Sequence, residues 1–464
     1  MKLQLTAIIA LVMLLASCSG TRNLQQPNLL LPATIDGEST DSLSVADVEW
    51  FRLYSDPVLI SIIHRTLENN RDLMKAWARI EELRQLYGVN KLNYLPVVSG
   101  LVGGNHETND YYGEKYIPDP ELSVKATVSW EIDLWGGLTQ STRRAKATYL
   151  ASVENRRAVE MSLIAEAATA YINLVALENE LSIVRQTLKT REEALEKSRL
   201  RYEGGLTSEI VYQQAKVEVA TTAALIPGLT NRINMARNAI TLLMGEFPDS
   251  KFTIGQKVLN ENLPAQLPIG LPSGLLERRP DLRASELQLK AAMADVGIAY
   301  SNQFPKLVIG LTGGWENDEV ANLFKSPFSY VLGNLTGTIF DFGRKRRRYK
   351  ASIAAYEQAR MSYEKNVLTA FTEVHNAIVT YREMQNTAER RKELRNAAFN
   401  YVDLANKQYI GGTINYIDVL DAERRYFEAQ ISLSNAVRDE YLALVSLYKA
   451  LGGGWSRDDE IKTR

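Results

Sequence analysis

The chain has 464 residues with 54 basic and 55 acidic side chains, a near balance that excludes both a strongly basic nucleic-acid binder and an acidic disordered chain. Its 45% hydrophobic content suits a folded protein. One cysteine, Cys18, rules out an internal disulfide, and His64, His106 and His375 are scattered, with no histidine–carboxylate or cysteine cluster at metal-ligand spacing. No Ser/His/Asp or paired-carboxylate arrangement emerges either, so the chain is expected not to be an enzyme and to need no metal or cofactor.

The first twenty residues read MKLQLTAIIALVMLLASCSG. Lys2 and the apolar stretch 5–15 form a signal-peptide start too short to span a bilayer. Leu15-Ala16-Ser17-Cys18 is a lipobox pattern, so residues 1–17 are expected to be removed and Cys18 to carry the lipid. An ordinary signal peptide with an accidental cysteine would look similar, but the sole cysteine of a long chain falls at this place. Ser19 after the cysteine, rather than Asp, favours transport to the outer membrane. Residues 18–56 read as an extended leader.

The rest of the chain repeats at a period near 208 residues. Asn70-Arg71-Asp72-Leu73 stands opposite Arg279-Pro280-Asp281-Leu282, Tyr94-Leu95-Pro96 opposite Gln303-Phe304-Pro305, and Asp133-Leu134-Trp135-Gly136 opposite Asp341-Phe342-Gly343. Further on, Arg201-Tyr202-Glu203-Gly204-Gly205 matches Gln408-Tyr409-Ile410-Gly411-Gly412, and Met244-Gly245 matches Leu451-Gly452. The repeats run over 57–246 and 274–453, with a Pro/Gly-marked linker at 247–273 and a tail at 454–464.

Each repeat opens with a helical stretch, 57–91 and 273–301. Two strands follow. Residues 122–134 place Leu122, Val124, Ala126, Val128, Trp130, Ile132 and Leu134 on one face and Ser123, Lys125, Thr127, Ser129, Glu131 and Asp133 on the other. Their partner is expected at 95–104. In the second repeat, 305–315 aligns Leu307, Ile309, Leu311 and Trp315, and 329–340 turns Val331, Leu335 and Ile339 outward. Apolar outside, polar inside and about ten residues long describes a membrane barrel strand, although a half-buried strand of a soluble sandwich alternates the same way. Four strands cannot close a membrane barrel, and open edges in lipid cost several kcal/mol per unpaired group, so membrane strands here require several chains.

Two long helical stretches complete each repeat: 136–203 and 207–245, then 344–407 and 414–451. Leu163, Ala167, Ala170, Leu174, Leu177, Leu181, Val184, Leu188 and Leu195 keep a spacing of three and four, with Arg191 as the one polar entry. This is a coiled-coil seam. Pro227 is expected to kink the first return helix.

Leu271-Pro272-Ser273-Gly274-Leu275-Leu276-Glu277-Arg278-Arg279-Pro280-Asp281-Leu282 resembles the LPSxLLxRRPD signature of the TolC-like outer-membrane efflux factors, in the lipoprotein branch serving tripartite RND-type pumps. Phe340-Asp341-Phe342-Gly343-Arg344, Tyr416-Ile417-Asp418-Val419-Leu420-Asp421-Ala422 and Leu447-Tyr448-Lys449-Ala450-Leu451-Gly452-Gly453-Gly454-Trp455 extend the resemblance over nearly the whole mature chain. It implies a mainly α fold, internally duplicated, with a long coiled-coil tunnel and four transmembrane strands per chain, closing as a homotrimeric 12-stranded barrel. It further implies an outer-membrane exit duct, working with a periplasmic adaptor and an inner-membrane pump. A duct for metal ions or for type I protein secretion is a variant. A periplasmic coiled-coil adaptor lipoprotein is an alternative of another class, but should carry one hairpin and a lipoyl-like domain.

The same resemblance locates a gate at the helix–helix turns, marked by Gly204, Gly205, Gly411 and Gly412. Asp418 and Asp421 match the family's ring of pore carboxylates, and Tyr409 a tyrosine that holds the entrance shut. The family's ionic lock is missing: Ile414 stands at the arginine position and Val211 at the acidic one. Closure through Ile414 or a substitute charge at Glu209 is the expectation instead. Arg424 and Arg425 lie at i+3 and i+4 from Asp421, the spacing of a helical ion pair.

Overall fold

The computed structural model describes residues 24–29, 56–107, 119–248, 263 and 272–453. Cys18 with its lipobox, most of the linker 247–273 and the tail 454–464 lie outside the described residues.

In chain order the elements are α1 (Pro57–Asn69), α2 (Arg71–Leu92), β1 (Val97–Glu107), β2 (Asp119–Ile132), α3 (Gly137–Glu203), α4 (Glu209–Ala223), α5 (Leu225–Leu243), α6 (Pro272–Arg278) and α7 (Pro280–Ser301). Then come β3 (Lys306–Asn317), a 3₁₀ turn (Val320–Lys325), β4 (Pro327–Thr336), α8 (Arg344–Ile410) and α9 (Tyr416–Ala450). The duplication is written in the backbone. Among the described residues, the six glycines with positive φ fall in three pairs, 136 and 343, 205 and 412, 245 and 452, each 207 residues apart.

Several expected elements break or stop early, each for a local reason. The helix expected at 57–91 divides at Asn70, whose side-chain oxygen accepts the Asp72 and Leu73 amides at 2.9 and 3.2 Å and so starts a new helix. The helix expected at 273–301 divides before Pro280, which takes the first position of α7, where no N–H is needed. The first return helix breaks at Ala224, three residues before Pro227, because Pro227 has no N–H to donate to the Ala223 carbonyl. Strand β2 stops at Ile132, leaving Leu134 outside it, because Asp133 turns to cap α3: its carboxylate accepts the Leu138 and Thr139 amides, both at 2.9 Å. Strand β4 begins at Pro327 and stops at Thr336, so Ile339 lies beyond the strand: β3 offers no partner past Lys306, which follows Pro305.

The described chain forms two compact units. One, comprising Met1–Leu29, Ala78–Val153 and Ala284–Lys365, holds a single antiparallel sheet in the order β1-β2-β3-β4. The two repeats join at β2 and β3, where Val128 faces Leu311 and Trp130 faces Ile309. One face of the sheet carries Val98, Val102, Leu122, Val124, Val128, Trp130, Ile132, Leu307, Ile309, Leu311, Trp315, Val331 and Leu335, with no charge among them. Val102 is 80% and Val331 69% exposed. An apolar face of this extent in water would be unfavourable by about 25 cal/mol per Å², so it calls for a nonaqueous neighbour. The other face carries Ser123, Lys125, Thr127, Ser129 and Glu131, with Thr127 and Thr312 hydroxyls 3.0 Å apart and Lys306 paired to Glu131 at 2.9 Å.

The second unit, Leu30–Trp77, Glu154–Arg283 and Asn366–Arg464, is helical. Its core takes Leu163, Ala167, Leu174, Leu181 and Val184 from the α3 seam, Leu229, Ile233 and Ile240 from α5, and Ala422, Ala429, Ala436, Ala443 and Leu447 from α9, all buried. Alanine at every seventh position of α9 lets neighbouring helix backbones approach closely. The RRPD and ALGGGW segments meet here. Buried Arg279 donates to the Ala450 carbonyl at 3.2 Å and pairs with Asp281 and Glu373, both at 2.7 Å.

Candidate functional site

Both helix–helix turns close the same way. Gly205 (φ 70) donates to the Tyr202 carbonyl and Leu206 to Arg201; Gly412 (φ 74) donates to Tyr409 and Thr413 to Gln408. These are Schellman closures, in which the left-handed residue must avoid a Cβ clash and glycine is favoured. Gly204 and Gly411 precede them and donate to the Leu200 and Lys407 carbonyls.

After the second turn, Asn415 caps α9 in a reciprocal box. Its side chain accepts the Asp418 amide, and the Asp418 carboxylate accepts the Asn415 amide at 3.0 Å. Asp418 thus serves the helix start. Asp421, one turn on, is half-exposed and receives Arg425 Nε at 2.8 Å and the Tyr401 hydroxyl at 3.4 Å. The Arg425 hydrogen bond holds its carboxyl below the usual range, so it is ionised at neutral pH.

Tyr409 and Ile414 pack, with Val402 and Tyr416, against buried Ala405, Val419 and Ala422. The Tyr409 and Tyr416 rings lie 5.5 Å apart, and the Arg201 guanidinium sits 5.5 Å over Tyr409 from the first turn. Burial pushes the Tyr416 hydroxyl up to about 12, while it hydrogen-bonds Ser198 of α3. Glu209 stands apart, exposed at the start of α4, where Gln213 donates to it at 3.2 Å.

Two buried charges, Arg191 and Glu218, meet the more exposed Arg424 in a cluster that sequence spacing did not assemble. Glu218 of α4 receives Arg191 of α3 at 3.0 Å and Arg424 Nε of α9 at 2.9 Å. Arg191 also donates to the Thr222 hydroxyl at 2.5 Å and lies 5.6 Å over Phe427. Arg424 therefore reaches across to α4, while Arg425 takes Asp421. The signal was present in part: Arg191 is the polar interruption of an otherwise apolar seam, and a buried charge there demands a partner. Nothing in the spacing named Glu218.

The profile of a family described as outer membrane efflux protein matches residues 62–246 and 271–453, one match per repeat. The chain is 30% identical to the solvent efflux pump outer membrane protein SrpC of Pseudomonas putida, over 98% of this chain and 99% of that one. It is 27% identical to the pyoverdine export outer membrane protein OpmQ of Pseudomonas aeruginosa, over 99% and 98%. Among solved structures, a membrane protein from Pseudomonas aeruginosa superposes with a TM-score of 0.86 at 29% identity, covering 94% of this chain and all of that one. The outer-membrane channel OprN superposes at 0.85 with 28% identity, covering 93% and 98%.

Proposed function

Because the chain belongs to the outer membrane efflux protein family, we propose that three copies of it close one 12-stranded barrel and serve as the exit duct of a tripartite efflux system. The protein is an outer-membrane efflux channel. The observation that carries the assembly is the sheet: four strands with one apolar face and, among the described residues, no partner beyond β1 or β4. Open edges are tolerated in lipid only when another chain pairs with them. A periplasmic adaptor and an inner-membrane pump complete the path and supply the energy. The role is that of a passage, with no catalytic step. Relatives that export solvents and pyoverdine indicate small organic cargo. Cys18 is the lipid attachment site that tethers the leader to the outer membrane.

The gate in this reading is the paired turns. Asp421 lines the constriction, and Asp418 adds its charge while capping α9. Tyr409 and Ile414 close it by packing, and Glu218 with Arg191 and Arg424 ties the two hairpins in place of the missing lock. Protein reconstituted in a planar bilayer is expected to conduct with cation preference, and Asp421→Ala to reduce that preference. Oligomeric protein that never conducts overturns the duct. Radiolabelled fatty acid should enter the wild type and not Cys18→Ala; labelling that persists overturns the anchor.

A further inference from the structure

The start of α8 carries a charge pattern that the fold does not require. Six of its first seven residues are basic: Arg344, Lys345, Arg346, Arg347, Arg348 and Lys350. At a helix N-terminus they oppose the helix dipole, and Arg344 with Arg348 and Arg346 with Lys350 place like charges at i and i+4. Arg346, Arg347, Arg348 and Lys350 form no ion pair with a carboxylate among the described residues. The duplication supplies the comparison. Gly136 and Gly343 are matched elbow glycines, and Asp133 and Asp341 cap α3 and α8 alike. Yet α3 opens with Gly137-Leu138-Thr139-Gln140-Ser141-Thr142-Arg143, which holds one cation. The same elbow is built there without the repulsion.

The basic run directly follows the apolar sheet. Between Thr336, the last residue of β4, and Arg344 lie Ile339, Phe340 and Phe342, all exposed, with the Phe340 and Phe342 rings packed edge-on at 4.6 Å. Farther along α8 the leader lies against one stripe of the helix. The Tyr356 hydroxyl donates to the Gln25 carbonyl at 2.7 Å, Arg360 donates to Gln25 Oε1 at 3.2 Å, and the Asn28 amide donates to Glu364 at 3.1 Å. Gln25 therefore lies nearer the start of α8 than Asn28 does, and the leader runs parallel to the helix. Steps of four and three carry the stripe back from Glu364 through Arg360, Glu357 and Ile353 to Lys350 and Arg346. From Arg360 back to Arg346 is roughly 21 Å along the helix. Cys18 precedes Gln25 by seven residues, a reach of at most roughly 25 Å. The leader is thus long enough to bring Cys18 to the level of the exposed cations.

We infer that the start of α8 is a docking surface for anionic phospholipid headgroups in the periplasmic leaflet of the outer membrane. Polybasic segments next to a membrane attract such headgroups, and salt weakens the attraction. A phosphate there supplies the negative charge that this helix start lacks, and the acyl chains beside it meet Ile339 and Phe340. Nucleic acid or an acidic protein would answer the charges but not the apolar residues that precede them. The placement rests on the lipid-anchor reading: a leader tethered at Cys18 descends outside the duct, so the stripe that carries it, with Arg346 and Lys350, faces the membrane surface and not the ion path. The charge pattern stands without the anchor. The surface sets the depth at which α8 meets the bilayer.

Full-length protein in neutral detergent micelles tests it, with native mass spectrometry to count retained lipid. Wild type should retain dioleoylphosphatidylglycerol several-fold more than dioleoylphosphatidylcholine, and added salt should shrink the difference. Arg346→Thr and Arg347→Gln install the residues that α3 carries at the matched positions; combined with Lys350→Gln, they should abolish most of the preference. In lipid-free micelles this triple variant should melt at or above the wild-type temperature, because repulsion is relieved. A lower melting temperature there would give the cations a structural role and overturn the inference. Equal retention of the two lipids by wild type, or an undiminished preference in the triple variant, overturns it too. The preference should persist in Cys18→Ala protein. Its loss there would assign the lipid to the anchor rather than to α8, whereas fatty-acid labelling tests the anchor by itself.

Discussion

Arg424 of α9 donates through Nε to the carboxylate of Glu218 on α4, at 2.9 Å, and Glu218 is buried while the Arg424 side chain is 58% exposed. The pair ties the return helix of one hairpin to that of the other, and the partners differ in what their loss should do. Removing Arg424 takes away an exposed charge, worth about 0–1 kcal/mol. Arg424→Ala should therefore leave the melting temperature nearly unchanged while raising mean conductance in planar bilayers. A conductance equal to wild type would show that this pair does not hold the gate.

Removing Glu218 is a different experiment. It strands Arg191, buried in the α3 seam, without its carboxylate. Leaving one member of a buried pair uncompensated costs roughly 3–5 kcal/mol. Glu218→Ala should lower the melting temperature markedly, and Arg191→Met with Glu218→Leu should recover much of the loss by replacing charge with apolar contact. Recovery in the double variant, followed by circular dichroism, separates burial from gating.

The helical unit should also respond to acid. Burial pushes the Glu423 carboxyl above its ordinary 4.5, with the nearby Glu218 adding to the shift and Arg191 opposing it. Burial raises Glu440 likewise. A carboxyl raised in the folded state contributes stability that is fully present below 4.5 and lost as pH rises through its folded value. Asp421 has the opposite sign: its contribution is present above 3.8 and lost as pH falls through its lowered value. Melting temperature should therefore rise as pH falls from neutral toward 4.5. Glu423→Gln should flatten that rise, and an unchanged slope would remove Glu423 from the explanation.

Much of this fold is legible because it is periodic. Alternation marks β2, spacing of three and four marks the α3 and α9 seams, and the duplication lets each landmark be read twice. What escapes the sequence is single-residue chemistry. Asn70 starts a new helix by accepting two amides, Asp133 ends β2 by capping α3, and Asp341 caps α8. None of these changes the hydrophobic pattern. The charge cluster escapes for another reason. Arg191 stands out in the seam, but its partner is 27 residues away on another helix and Arg424 lies on a third, and only folding brings them together. Asp418 shows the converse: its place after the turn suggests a pore, while its nearest bond is to the Asn415 amide.

The positive-φ glycines divide into two classes. A Cβ at Gly205 or Gly412 meets nothing within 4 Å, so alanine there bears only the left-handed penalty of about 1–2 kcal/mol. At Gly452 a Cβ would sit 3.1 Å from the Arg278 carbonyl, and at Gly245 it would overlap the Asn69 backbone. Gly245→Ala and Gly452→Ala should therefore destabilise well beyond Gly205→Ala and Gly412→Ala in thermal melts. Equal losses at all four would mean that the backbone around Gly245 and Gly452 yields freely.

Arg279 joins the two sequence signatures, and its fork is what the joint uses. It binds Asp281, Glu373 and the Ala450 carbonyl simultaneously. Lysine supplies a charge but not planar, divergent donors. Arg279→Lys should lose at least one of these charge-assisted bonds, about 1.5–3 kcal/mol. Arg279→Ala should cost more, and Gly452→Ala in the Arg279→Ala background should cost less than in wild type, since the Arg279 Cγ lies 3.2 Å from a Cβ placed there. Strict additivity of the two substitutions would separate them energetically.

The pairing of Asp421 with Arg425 sets the expected ion selectivity. Three copies would bring three Asp421 carboxylates into one constriction, but each is partly neutralised by Arg425 at 2.8 Å. Both side chains are half or more exposed, so screening by salt reduces the pair's strength without removing either charge. Arg425→Ala should unmask the carboxylate and increase cation preference, whereas Asp421→Ala leaves a ring of arginines and should shift preference toward anions. Because the Arg425 hydrogen bond keeps Asp421 below its usual range, the wild-type preference should hold through pH 5 and weaken only as pH falls below about 3.8. Reversal potentials in a salt gradient measure all three. If the two variants shift in the same direction, Asp421 and Arg425 do not face the ion path.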